Sequence, residues 1–67
     1  MLIVQYRDIT TKELFFKEEY PDFIPNINDK VTINGDKIIL GFVIDKLVNI
    51  YPNDNDTCIN IYIKQSF

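Results

Sequence analysis

Alternation of apolar and polar residues is the property of this sequence that most restricts its fold. Leu2, Val4 and Tyr6 would lie on one face of an extended segment. Residues 57–65 repeat the pattern, with isoleucine at positions 59, 61 and 63. A two-residue period is that of a β-strand with one buried face. Twelve of the 67 residues are isoleucine and none is alanine, which favours strands over helices, so we expect an all-β protein.

The same pattern divides the chain into five predicted strands. Between the second and third, Pro21 and Pro25 remove backbone donors and indicate an irregular connection over residues 20–29. Residues 45–51 allow two interpretations, one helical turn or a continuation of the fourth strand through a bulge. Asn49 and its β-branched neighbours favour the strand. The predicted strands are residues 2–7, 13–18, 30–34, 36–44 and 57–65.

The two glycines of the chain mark predicted turning points. Asn34 and Gly35 predict a two-residue hairpin of type I′, in which both residues have positive φ. Gly41 interrupts the long fourth strand and predicts a bend at the corner of a barrel. Closing five short strands into a barrel removes exposed edges. We therefore predict one domain, residues 1–67, folded as a small five-stranded antiparallel barrel.

Residues 25–33, Pro-Asn-Ile-Asn-Asp-Lys-Val-Thr-Ile, resemble the Pro-x-x-Gly-Asp-x-Val-x-Ile stretch that opens a central strand in many Src-homology-3-like small barrels. Asn28 takes the place of the usual glycine, and asparagine is the next most tolerant residue of a left-handed backbone. Short chains of this kind are common in prophages and mobile elements. The resemblance implies a fold and no particular activity, because such barrels serve many functions.

Residue types that catalysis and metal binding need are scarce. The chain has no histidine, and Cys58 is its single cysteine, so we expect neither an internal disulfide nor a zinc site nor an activated thiol. Residues 53–56 offer oxygen ligands but lack the glycine and glutamate spacing of a calcium loop. We predict no catalytic residue, no metal and no cofactor, and hence a protein that is not an enzyme.

Charge argues against nucleic acid as a partner. Ten acidic and seven basic residues give a net charge of −3, whereas nucleic-acid-binding proteins concentrate basic side chains. Glu18, Glu19 and Asp22 surround Tyr20 and predict an acidic patch or solvated rim. No apolar run approaches the length of a membrane span, and the first residues lack the pattern of a signal peptide. We expect a cytoplasmic protein that does not associate with membranes.

Apolar residues outnumber the positions that a small core offers. Phe15, Ile39, Val43 and Tyr62 alternate with the predicted inward residues, so we expect them on the outside. Exposed apolar patches mark binding sites, and we therefore predict a homo-oligomer with these four residues at the interface. The predicted inward set is Leu2, Val4, Tyr6, Leu14, Phe16, Val31, Ile33, Ile38, Leu40, Phe42, Ile44, Ile59, Ile61 and Ile63.

These observations lead to three functional hypotheses. The first is a non-enzymatic binding protein encoded by a phage or mobile element. It would self-associate and bind a host protein or a small ligand, for example as an inhibitor of host defence. The second is a module that binds single-stranded nucleic acid, with Tyr6, Phe15 and Tyr62 stacking on bases, or that regulates another protein. The third is a structural component of a phage particle.

Overall fold

Five β-strands are the regular structure of the part of the chain that the structure describes. The computed structural model describes residues 1–66, which contain no helix and therefore none able to cross a membrane. One sheet curves into a nearly closed barrel. The prediction of an all-β, five-stranded single domain is thus confirmed. The strands are β1 (Leu2–Asp8), β2 (Leu14–Glu19), β3 (Lys30–Asn34), β4 (Ile38–Tyr51) and β5 (Asp56–Gln65).

The strand order around the barrel is β2-β1-β5-β4-β3. The chain runs as an up-and-down meander whose first and last strands lie side by side. β1 pairs with β5 in parallel, while the three other neighbouring pairs are antiparallel. The sheet is therefore mixed, not antiparallel throughout as predicted. The reason is the odd number of strands: directions alternate along a meander, so the first and fifth strands run the same way.

β4 is one continuous strand of 14 residues with a bulge at Ile44. The bulge lies between Val43, which pairs with Ile63, and Asp45, which pairs with Tyr62. An extra residue of this kind bends a strand and increases its twist. The second half of β4 continues as a strand through this bulge, which confirms the strand interpretation of residues 45–51 over a helical turn.

The inward face of the first half of β4 is the opposite of the predicted one. Val31 and Ile33 of β3 pack against the core as expected, and their partners on β4, Gly41 and Ile39, share that face. Residues between these partners point outward, so Ile38 is 65% exposed. Both faces of this segment carry apolar side chains, and the two-residue period alone does not distinguish them. Phe42 and Ile44, also predicted inward, are exposed as well.

The core lies between the central strands β1 and β5 and the part of β4 before its bulge. Its buried residues alternate along each strand, as the period of two predicts for β1 and β5. Tyr6 is among them, and burial, with a smaller contribution from Glu18, raises the pKa of its hydroxyl. The buried cluster consists of Val4, Tyr6, Val43, Ile59, Ile61 and Ile63.

Gly41 allows β4 to approach β5 closely, although the irregularity in β4 falls three residues later. A Cβ atom at Gly41 would lie 2.6 Å from Cγ2 of Ile63 and would also meet the carbonyl oxygen of Lys64. Real Cβ atoms do not approach other atoms so closely. The predicted bend therefore lies at Ile44 and not at Gly41, and Gly41 is instead a site of close backbone approach.

The hairpin between β3 and β4 is confirmed, but its predicted turn type is wrong. Asn34 pairs with Ile38, which leaves three residues in the loop. Neither Asn34 nor Gly35 has a positive φ angle. A three-residue connection does not need the two left-handed positions of a type I′ turn. The Gly35 N–H instead donates to the carbonyl oxygen of Lys37 at 3.2 Å.

The connection over residues 20–29 crosses the concave side of the sheet. The Tyr20 N–H donates to the Leu2 carbonyl at 2.9 Å, and the Asn28 N–H donates to the Val43 carbonyl at 2.8 Å. Asn28 has a φ of 77°, which confirms the expected left-handed position. Between these anchors Pro25 is buried and Ile24 packs against the core. The connection therefore covers the barrel interior.

Candidate functional site

The barrel remains open at one seam, between β2 and β3. These strands form the two edges of the sheet, and no strand pairing joins them within residues 1–66. β2 has β1 as its single partner and β3 has β4. Each edge therefore has backbone N–H and C=O groups that no strand of the described chain takes up. We call this opening the seam.

A groove of about 680 Å³ lies in the seam, between the start of β2 and the β3–β4 hairpin. A second hollow of about 390 Å³, lined by Tyr6, Phe16, Ile33, Asn34 and Gly35, adjoins it. Phe16, Ile33 and Gly35 line both, so we treat them together as the seam groove. Six apolar residues contribute to the walls of the larger part, Leu14, Phe15, Phe16, Ile33, Ile38 and Ile39.

A bulge in β2 accounts for two consecutive phenylalanines lining the groove. Tyr6 pairs with Phe16 and Arg7 with Leu14, so Phe15 is the extra residue. The bulge directs Phe15 towards the core, against the expectation that it points outward. The Phe16 ring stacks on Tyr6 at a centroid distance of 6.0 Å and keeps 44% of its surface exposed. A pair of large apolar residues inside a period of two is the sequence signal for such a bulge.

Polar side chains frame the apolar walls of the groove. Glu13 immediately precedes β2, and Asp36 and Lys37 lie in the β3–β4 loop opposite. Gln65, at the end of β5, completes the frame. Apolar walls with a few polar groups at the rim are typical of sites that bind ligands or side chains of a partner.

Of the four residues predicted at an interface, only Tyr62 lies on the outer face. Ile39 is 8% exposed and Val43 is fully buried, so the prediction that they face outward is wrong. Their inward position follows from their pairing with Ile33 and Ile63, which belong to the core side. Phe15 packs against the core. Leu14, Phe16 and Ile38, which the sequence predicts to be inward core residues, are instead exposed and line the groove.

The acidic residues around Tyr20 lie on different parts of the surface. Glu18 pairs with the buried Val4 and is half-buried on the concave side, whereas Glu19 pairs with Ile3 on the outer side. Adjacent strand residues point to opposite faces, which separates the two carboxylates. Asp22 is exposed in the connection that follows. The three residues therefore do not form one face.

Two aromatic residues on the outer face have basic residues as neighbours. Tyr62 pairs with Arg7 on one side and Asp45 on the other, and Lys12 Nζ is 4.7 Å from the centre of its ring. Of the aromatic residues expected to stack on bases, Tyr6 is in the core and Phe15 packs against it. A second ring, that of Phe42, has Lys30 and Lys64 as its cross-strand neighbours.

Asp8 is the one buried carboxylate among the described residues. Its Oδ2 accepts the backbone N–H groups of Thr11 at 2.8 Å and Thr10 at 3.0 Å, and Gln65 Nε2 lies 3.4 Å from Oδ1. The hydrogen bond from Thr11 is the main reason that the pKa of Asp8 is lowered. Asp8 thereby stabilises the turn between β1 and β2, a structural role.

Residues 1–66 contain no group of three side chains able to hold a metal ion. No known protein family, no curated protein and no solved structure matches the chain.

Proposed function

We propose that this chain is a non-enzymatic binding protein that takes up an apolar segment of a host protein in the seam groove. The observation that carries the proposal is the groove itself, about 680 Å³ with apolar walls between two unpaired strand edges. The proposal also includes binding of a small apolar ligand in the same groove and self-association of the chain. The short chain and the small-barrel resemblance of residues 25–33 support a phage or mobile-element origin, and inhibition of a host-defence protein is one concrete form of the proposal.

The two edges explain why an extended protein segment suits the groove. An edge strand offers N–H and C=O groups to which a partner backbone can bond, and adjacent hollows receive alternate side chains of the partner. Leu14 and Ile38, on opposite sides of the groove, are 44% and 65% exposed and would be covered by such a segment. Their burial is the favourable contribution, at about 25 cal/mol per Å² of apolar surface.

Two isoleucine-to-aspartate variants test the proposal. Tagged protein is used as bait in a bacterial lysate, with native mass spectrometry to detect any retained small molecule. Ile38→Asp should reduce recovery of the retained species about tenfold or more, because it places a carboxylate against the apolar wall. Ile27→Asp is the matched control, since Ile27 is also an exposed isoleucine but lies outside the groove. Equal recovery with both variants, or no retained species, would contradict the proposal.

A second candidate function follows from the rings of Tyr62 and Phe42. Aromatic rings beside cations are the elements with which proteins bind single-stranded nucleic acid. In that case labelled single-stranded DNA should bind with an affinity that falls as salt is raised. Combining Lys30→Glu with Lys64→Glu should weaken binding about tenfold or more, and Lys37→Glu in the β3–β4 loop is the control. Absence of binding at low salt would eliminate this candidate.

A further inference from the structure

The second half of β4 has a strand on one side only. On the other side, β3 pairs with β4 as far as Phe42. Two further hydrogen bonds join Val43 to the connection over residues 20–29, and β4 has no backbone partner on that side after them among residues 1–66. From Asp45 to Tyr51 the strand pairs with β5 and, among residues 1–66, with no other strand. We call residues 44–51 the free edge.

Three residues of the free edge direct their backbone N–H and C=O groups away from β5, in the plane of the sheet. Thr57 and Ile63 of β5 hydrogen-bond towards β1, through the Met1 carbonyl and the Ile9 N–H. Bonding alternates along a strand, so the even-numbered residues of β5 bond to β4. Their partners on β4 are Asp45, Leu47, Asn49 and Tyr51. The residues between these, with backbone groups turned to the free edge, are Lys46, Val48 and Ile50.

The side chains along the free edge are mostly apolar and uncovered. Leu47 is 49%, Val48 47%, Ile50 69% and Tyr51 50% exposed. The Lys46 N–H already bonds to Oδ1 of Asp45 at 2.8 Å. Natural proteins protect long exposed edges with charges, prolines or a covering element, and within residues 1–66 Asp45 and Lys46 at one end are the only such protection. An edge of this kind is a template for another strand.

We propose that the free edge pairs antiparallel with the free edge of a second copy, so that Val48 lies opposite Val48 of that copy, across the two-fold axis. In a continuous sheet, directly opposed residues have their side chains on the same face. A residue at the two-fold axis must therefore be opposite its own copy, with the axis midway between the two. With Val48 there, Lys46 of each copy faces Ile50 of the other, and all three edge-facing residues find partners. Asp45 faces Tyr51, so no like charges are opposed. This self-complementarity favours a second copy over an unrelated strand.

The free edge is the surface through which the self-association named in the proposed function would occur. The inference rests on the proposed function only for that self-association. The free edge shares no residue with the seam groove, so the two experiments fail independently. Pairing would join two five-stranded sheets into one of ten strands. A domain of this size gains stability from oligomerisation, because its own core is small.

Charge variants at the axis test the proposal by native mass spectrometry and light scattering at micromolar concentration. Wild-type protein should have twice the 7.9 kDa mass of the chain. Val48→Asp and Val48→Lys should each raise the dissociation constant about tenfold or more, because each opposes two like charges across the axis. An equimolar mixture of the two variants should recover the double mass, since aspartate then faces lysine.

Two further variants separate loss of pairing from loss of folding. Ile50→Pro removes an N–H that does not bond to β5, so the strand should persist by circular dichroism while the dimer dissociates. Ile27→Asp, at an exposed apolar residue outside both the free edge and the seam groove, should remain dimeric. A wild-type species of 7.9 kDa, or dimers that survive the Val48 variants, would overturn the proposal. Monomeric single variants whose mixture stays monomeric would overturn the register.

Discussion

At the scale of single residues, the absence of a side chain at Gly41 sets how closely β4 and β5 approach. The neighbouring atoms are the Lys64 backbone and the branched, buried side chain of Ile63, neither of which moves easily. The other glycine, Gly35, has open surroundings, with its nearest such atom, the Lys37 carbonyl oxygen, at 3.9 Å. Neither glycine has a positive φ angle, so the difference between them is one of space alone.

Gly41→Ala should therefore destabilise the protein and Gly35→Ala should not. We expect Gly41→Ala to lower the free energy of unfolding by about 1–3 kcal/mol, the usual cost of overpacking a core. Gly35→Ala should change it by about 0.5 kcal/mol or less, as is usual for surface positions. Chemical denaturation of both variants checks this, and similar midpoints for the two would show that the close approach at Gly41 relaxes freely.

At the scale of elements, the strands were predictable where one face alone is apolar. β1 and β5 alternate cleanly, and their inward residues were predicted correctly; the bounds of β3 were predicted to the residue. β2 and β4 carry consecutive large apolar residues, such as Phe15 and Phe16, so their faces are ambiguous in the sequence. A bulge in each resolves the ambiguity, and its position depends on the register of the neighbouring strand.

The candidate site was less predictable than the strands. An excess of apolar residues correctly indicated exposed apolar surface, but its location depends on which strands remain unpaired. That is a property of the order of strands around the barrel, to which Leu14, Phe16 and Ile38 contribute from distant parts of the chain. Local periodicity holds no information on it, and so Ile39 and Val43 were assigned to the wrong side.

At the scale of the whole molecule, Asp8 connects the turn after β1 with the end of β5. Its folded-state pKa lies below the ordinary value of 3.8, through the hydrogen bond from Thr11 first and those from Gln65 and Thr10 after it. A carboxylate with a lowered pKa stabilises the fold while ionised. This contribution is complete above the pKa of the unfolded chain and is lost as pH falls through the lower, folded-state pKa.

Acid should accordingly destabilise wild-type protein more than an Asp8→Asn variant. Asparagine keeps an oxygen that accepts from Thr11 but does not titrate, so we expect lower stability than wild type at pH 7 and a shallower decline below about pH 4. Denaturant midpoints measured from neutral pH to about pH 2 provide the comparison. Parallel declines in the two proteins would show that other carboxylates govern acid unfolding.

The seam has a consequence for the direction in which a bound peptide strand would lie. β2 and β3 run in opposite directions on its two sides, because they are successive strands of the meander. A guest strand lying between them would be antiparallel to one edge and parallel to the other, whichever way it entered. The backbone hydrogen bonds therefore favour neither N-to-C direction of the bound strand. The asymmetric positions of Phe16, Ile38 and Lys37 would determine its direction.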